Sequence, residues 1–79
     1  MRLDKYLKVS RIIKRRTVAN EACDAKHVSV NGKPARASYD VKVGDAIELT
    51  FGSNTSRFEV LSVTEHATKE SAALMFRQL

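Results

Sequence analysis

Residues 1–16 read MRLDKYLKVSRIIKRR, and the rest of the chain takes its meaning from this stretch. Seven of its residues are basic (Arg2, Lys5, Lys8, Arg11, Lys14, Arg15 and Arg16), and only Asp4 opposes them. On an α-helix each residue advances by about 100°. That spacing predicts a helix with Leu3, Tyr6 and Leu7 on one side and Lys5 and Lys8 on the other. Asp4 is expected near its start, where a carboxylate accepts from free backbone N–H groups. It also stands four residues before Lys8, a favourable helical pair. Taken alone, such a basic face is the ordinary wet side of an amphipathic helix.

The residues that follow change that reading. Thr17 reads as an N-cap and residues 18–26, VANEACDAK, as a second helix. Val18, Ala19, Ala22, Cys23 and Ala25 share one arc, and Asn20, Glu21 and Asp24 the other. Lys14, Arg15 and Arg16 come directly before the cap. A helix N-terminus carries partial positive charge and favours anions, by about 0.3–1 kcal/mol at a surface. Three cations there repel the dipole and one another. A bound phosphate reverses the sign, because N–H donors and guanidinium groups converge on it. A local conflict of this kind marks a functional site.

Beyond residue 26 helical spacing gives way to alternation. His27 to Val30 alternates and Asn31-Gly32 follows, the strongest short hairpin signal. Residues 33–37 return as a strand that Pro34 confines to a short or edge position. Tyr39 and Val41 are expected over the core, and Val43-Gly44-Asp45 forms a turn. Residues 46–51 alternate again, 52–56 read as a polar loop, and 57–64 as a further strand with Phe58 and Val60 on one face. Helical spacing returns over residues 69–78, with Thr68 as its cap. The element order therefore predicts an α+β fold: two N-terminal helices, a small and mostly antiparallel sheet, and a short C-terminal helix. One domain is expected over residues 1–79.

Charge is segregated along the chain. Residues 1–36 carry ten Lys and Arg against three acids, a net +7, whereas residues 37–79 carry four against six, a net −2. Solubility alone gives no reason for that asymmetry, and a polyanionic partner does. Nucleic acid is the first candidate. An anionic membrane fits less well, because neither basic helix keeps a large apolar face free.

Other classes are disfavoured. Cys23 is the single cysteine, lies on the apolar arc and reads as a buried side chain. His27 and His66 have no ligand partners at metal spacing, and no glycine-rich phosphate loop is present. No metal, cofactor or catalytic residue is expected, and the chain reads as a non-enzyme. The charged N-terminus lacks the apolar region of a secretory signal, so a cytoplasmic protein is expected. The five aromatics, Tyr6, Tyr39, Phe51, Phe58 and Phe76, do not cluster on one strand, so stacking of bases across a sheet is not expected. A DNA-binding module, with two helices imitating a helix-turn-helix, is the nearest alternative. A protein-interaction module using Leu74, Met75 and Phe76 is another.

Four motifs in order carry a resemblance: R-L-D-K-Y-L at residues 2–7, R-R-T-x-A at 15–19, V-S-V-N-G-K at 28–33 and V-x-V-G-D-x-I at 41–47. Together they resemble the RNA-binding domain named after small-subunit ribosomal protein four, over residues 2–51. The resemblance implies two helices on a small, strongly bent sheet, the alpha-L RNA-binding motif. It implies an RNA surface made of the basic helical face and the adjoining hairpin, here Arg2, Lys5, Lys8, Arg15 and Arg16, with Arg11, Lys14 and Lys33 more peripheral. Most family members carry a catalytic domain beside this one. The present chain is similar to the stand-alone members, which bind large-subunit rRNA and peptidyl-tRNA on a dissociated large ribosomal subunit. Some of these support alanine tailing of stalled chains together with an RqcH-type factor, and a ribosome-associated heat-shock protein is a further relative. The resemblance thus implies a factor of ribosome-associated quality control; a cytoplasmic monomer is expected.

Two departures from the family pattern stand out. A glycine usually precedes the first strand, and Lys26-His27 stands here instead, with His27 expected to take the left-handed conformation. The long basic extension of the heat-shock relative is replaced by the apolar residues 69–79.

Overall fold

The computed structural model describes residues 1–79. Helix α1 spans Leu3–Val9 and buries Leu3, Tyr6 and Leu7, as the helical spacing requires. Its first amides are satisfied from a distant segment. Leu3 N donates to Tyr39 O at 2.8 Å and Asp4 N to Ala37 O at 3.2 Å. The Asp4 carboxylate accepts from Lys5 N at 2.8 Å. Asp4 does not pair with Lys8, because it is buried and turned toward the second helix.

Helix α2 spans Arg16–Asp24 with Arg15 as its N-cap, so it starts ahead of Thr17, which does not cap it. Of the expected apolar arc, Ala19, Ala22 and Cys23 are buried. Val18 and Ala25 are exposed, since α1 and the sheet cover only the narrower stripe. The helix ends in a left-handed residue, but that residue is Lys26, with φ of 63°, and not His27.

Strands β1 (Val28–Val30) and β2 (Lys33–Pro34) form the expected hairpin. Asn31 and Gly32 both have positive φ, 52° and 84°, the geometry of a type I′ turn. Strand β2 lies at the sheet edge, where Pro34 leaves no ladder bond unmade. Residues 35–45 carry no regular strand, yet Ala35, Ala37 and Val41 are buried while Tyr39 is half-buried. Asp45 anchors this segment. Its carboxylate accepts from Asn31 Nδ2 at 3.1 Å, the Tyr39 hydroxyl at 3.0 Å and Lys42 N at 3.0 Å.

Strand β3 (Ala46–Phe51) runs straight into β4 (Asn54–Val60) through Gly52-Ser53. The polar stretch 52–56 is therefore a two-residue turn plus the start of a strand. Gly52 at φ 61° allows that tight reversal. The strand ends at Val60 rather than at Thr64, because Leu61 and Ser62 turn to donate to Met75 O, at 2.8 and 3.2 Å.

The C-terminal segment departs most from its helical spacing. Helix α3 is a single turn, Lys69–Ala72, and Phe76–Gln78 form strand β5. Thr68 does cap the turn, accepting from Ser71 N at 3.1 Å. A ten-residue isolated helix is marginal in water, whereas β5 satisfies the open edge of β4 through Phe58↔Gln78, Glu59↔Arg77 and Val60↔Phe76. The sheet is antiparallel throughout, in the order β2-β1-β3-β4-β5. One core joins Leu3, Tyr6 and Leu7 to Ile47, Val60 and Met75. Met75 is buried and Phe76 partly so, which leaves Leu74 as the exposed member of that apolar trio.

Candidate nucleic-acid interface

Helices α1 and α2 pack side by side, and this brings two arginines from separate elements to one carboxylate. Asp4 is 2% exposed. Arg2 Nε lies 3.2 Å from its Oδ1, and Arg16 Nε lies 3.4 Å from its Oδ2. Asn20 Nδ2 donates to Oδ2 at 3.2 Å. Burial opposes charge on Asp4, but the donors from Arg2, Asn20, Lys5 N and Arg16 outweigh it and hold the carboxyl below its ordinary range. The side chains of Arg2 and Arg16 remain 51% and 48% exposed. Asp4 therefore orients two guanidinium groups whose outer faces meet solvent. Spacing within one helix offered no signal for this role, since Arg16 and Asn20 come from α2.

The other predicted cations fall into distinct places. Lys8, Arg11 and Lys14 line one open groove of about 500 Å³, together with Glu65 and His66. Arg11 takes a left-handed conformation, φ 64°, in the turn that follows α1. Lys5 is held by Glu65 from the far end of the chain. Arg15 is exposed at the N-cap of α2, a helix with no side-chain cap and no acid in its first turn. Lys33 is set apart, on a groove bordering β2 with Arg36 and Tyr39.

A third groove, of about 560 Å³, separates α2 from residues 34–38. Arg2, Lys26 and Arg36 line it with Asn20 and Asp24. Lys26 and Arg36 were not among the expected site residues. Their only sequence signal was membership of the basic half of the chain.

Pairing follows the charge segregation. Of the ten cations in residues 1–36, only Arg2, Lys5 and Arg16 have an acidic partner. In the acidic half, Arg57 and Arg77 are matched across strands by Glu48 and Glu59. Strands β3 to β5 match their arginines with acids, whereas most cations of residues 1–36 stay unmatched.

No three His, Cys, Asp or Glu side chains gather to hold a metal ion. Cys23 is buried, and burial first, then Asp4 and Asp24, pushes its thiol up to about 11. It is therefore protonated at neutral pH and not a nucleophile. No helix is long and apolar enough to cross a membrane.

Two helices flanked by largely unpaired cations and packed on a small antiparallel sheet have the form of an RNA-binding class. The chain belongs to the S4 domain family, whose model matches residues 1–47. Its curated relatives are more particular. It is 53% identical over 76 residues to the RQC P-site tRNA stabilizing factor of Streptococcus pneumoniae, covering 96% of this chain and 86% of that one. It is 49% identical to the factor of the same name from Bacillus subtilis, covering 96% and 88%. Among solved structures it superposes on the trimeric Heat Shock Protein 15 of Vibrio cholerae with a TM-score of 0.91 and 26% identity, covering 100% of this chain and 81% of that one.

Proposed function

We propose that this chain is a non-catalytic, cytoplasmic RNA-binding factor of ribosome-associated quality control. It docks on the large ribosomal subunit and holds P-site tRNA against large-subunit rRNA while a stalled peptidyl-tRNA is processed. Its 79 residues work as one RNA-binding domain and as a single copy. Phosphates are met by Arg2, Lys5, Lys8, Arg11, Lys14, Arg15, Arg16 and Lys33, joined by Lys26 and Arg36. In RqcP-type members, which it resembles, the downstream step is alanine tailing with an RqcH-type factor.

The observation that carries this reading is the unpaired charge of the N-terminal half: seven of the ten Lys and Arg side chains in residues 1–36 have no acidic partner. Structured RNA is recognised chiefly through phosphates, 2′-hydroxyls and groove shape, which suits such a face. The curated relatives' name supports the choice of tRNA and of quality control. If roughly five phosphates are contacted, the logarithm of RNA affinity falls against the logarithm of salt with a slope of about −3 to −4. A flat titration removes the proposal. In cell lysates the protein is expected with free large subunits on a sucrose gradient, and recovery only at the top of the gradient counts against it.

The likeness to Heat Shock Protein 15 supports a second reading, a heat-shock factor that recycles stalled large subunits. Deleting the gene separates the two. Alanine tails on stalled chains vanish under the first reading and persist under the second.

A further inference from the structure

Phe51 ends β3 on the face of the sheet that packs into the core. Ile47 and Leu49 share that face by the two-residue period of a strand, and both are buried. Phe51 is 46% exposed, past the rim of the core, and does not belong to the apolar shell packed around it. Its ring instead lies against His27, with centroids 5.3 Å apart and planes tilted by 34°. His27 is exposed as well. The backbone holds the two together: Thr50 N donates to His27 O at 2.9 Å, which fixes the end of β3 to the junction of α2 and β1.

That junction is Lys26, the left-handed residue at the end of α2. Lys26 lines the groove that also holds Arg2 and Arg36. The uncovered aromatic pair thus follows directly, through His27, on a residue that lines a groove with three cations and one acid, Asp24. A solvated aromatic surface gains from being covered, and the neighbouring cations select a polyanion to cover it. A nucleotide supplies both parts at once, since its phosphate suits the groove and every base has a π-face.

We propose that His27 and Phe51 form a stacking platform for one unpaired base of the RNA whose backbone lies along Arg2, Lys26 and Arg36. This rests on the RNA-binding reading above and adds to it a preference for RNA with unstacked bases over continuous duplex. The contact is sequence-tolerant, because stacking does not read base edges.

The test uses the full chain with two labelled RNAs. One is a stem-loop with 2-aminopurine in its unpaired loop, and the other is the same stem as a blunt duplex. Phe51→Ala is expected to weaken binding of the stem-loop by about ten-fold and leave the duplex unchanged. Phe51→Leu, which keeps apolar bulk without a π-face, loses the same preference, and Phe51→Trp restores it. Wild-type protein quenches the 2-aminopurine and Phe51→Ala does not. Equal loss on both RNAs, no loss on either, or unaltered 2-aminopurine emission at saturation overturns the platform, an apolar protein contact being then its use. If wild-type protein binds neither RNA, the RNA-binding reading falls and the platform with it. Arg16→Ala separates the two ideas, since it weakens both RNAs alike while the quenching persists at saturation.

Discussion

The phenol of Tyr6 donates to the main-chain carbonyl of Met75 at 2.7 Å, in a buried hydrogen bond between the first helix and the last segment of the chain. The same carbonyl accepts from Leu61 N and Ser62 N. Burial pushes the Tyr6 phenol up to about 12, so it stays a donor across the working pH range. Through this one oxygen the basic helix is tied to the strand that closes the sheet.

Tyr6→Phe removes the hydroxyl but leaves the carbonyl its two amide donors. The expected cost is about 1 kcal/mol, which lowers the melting temperature of a domain this size by roughly 4–8 °C. Thermal unfolding by circular dichroism reads it. RNA affinity measured well below the transition should not change, because Tyr6 is fully buried.

Asp4 links stability to pH. Its folded-state carboxyl is held below the ordinary value of 3.8. The stabilisation is therefore complete above that value and is lost as pH falls through and below it. Melting temperature should drop along that acid limb. Asp4→Asn should lower stability at neutral pH by about 2 kcal/mol, as loss of hydrogen bonds to a charged group does, and should flatten the acid limb. It should also weaken RNA binding, because Arg2 and Arg16 lose the group that orients them. A variant that binds RNA normally would make the carboxylate a purely structural anchor.

Glu65 occupies Lys5 in the free protein, and that ion pair, first through its hydrogen bond, holds the Glu65 carboxyl below its ordinary range. It borders the groove of Lys8, Arg11 and Lys14. An RNA phosphate must displace it or tolerate it. Glu65→Gln is expected to raise RNA affinity and to steepen the salt slope by roughly one. Unaltered binding would mean that Lys5 meets no phosphate.

Lys26 sits at φ 63°, where a side chain is strained and glycine is not. Lys26→Gly should stabilise the fold by up to about 1 kcal/mol while reducing RNA affinity, since it removes a cation from the groove shared with Arg2 and Arg36. Denaturant unfolding and RNA titration on the same sample separate the two effects. A gain in both would show that the lysine is not used.

The legible parts of the chain share a short range. The 3.6-residue period placed Leu3, Tyr6 and Leu7 in the core. Asn31-Gly32 placed a turn because few other pairs tolerate two consecutive positive φ values. Thr68 placed a cap for the same reason of local geometry. The basic half of the chain was equally plain, because charge is a property of composition. Less legible were residues whose state depends on a distant strand. Residues 76–78 continue a helical spacing but lie beside the open edge of β4, and a strand edge wins over a short helix by satisfying backbone groups that water would otherwise hold.

The sequence by itself determined which end of this protein is cationic, which face of α1 turns inward and where the first hairpin reverses. All of these follow from neighbours within about four residues along the chain. Only the tertiary structure decided that Asp4 answers to Arg16 and Asn20, that Lys26 and Arg36 border one groove, and that His27 meets Phe51. Those pairings are set by how α2 docks on α1 and by the register of β1 against β3. Packing and strand register join residues that no local period relates.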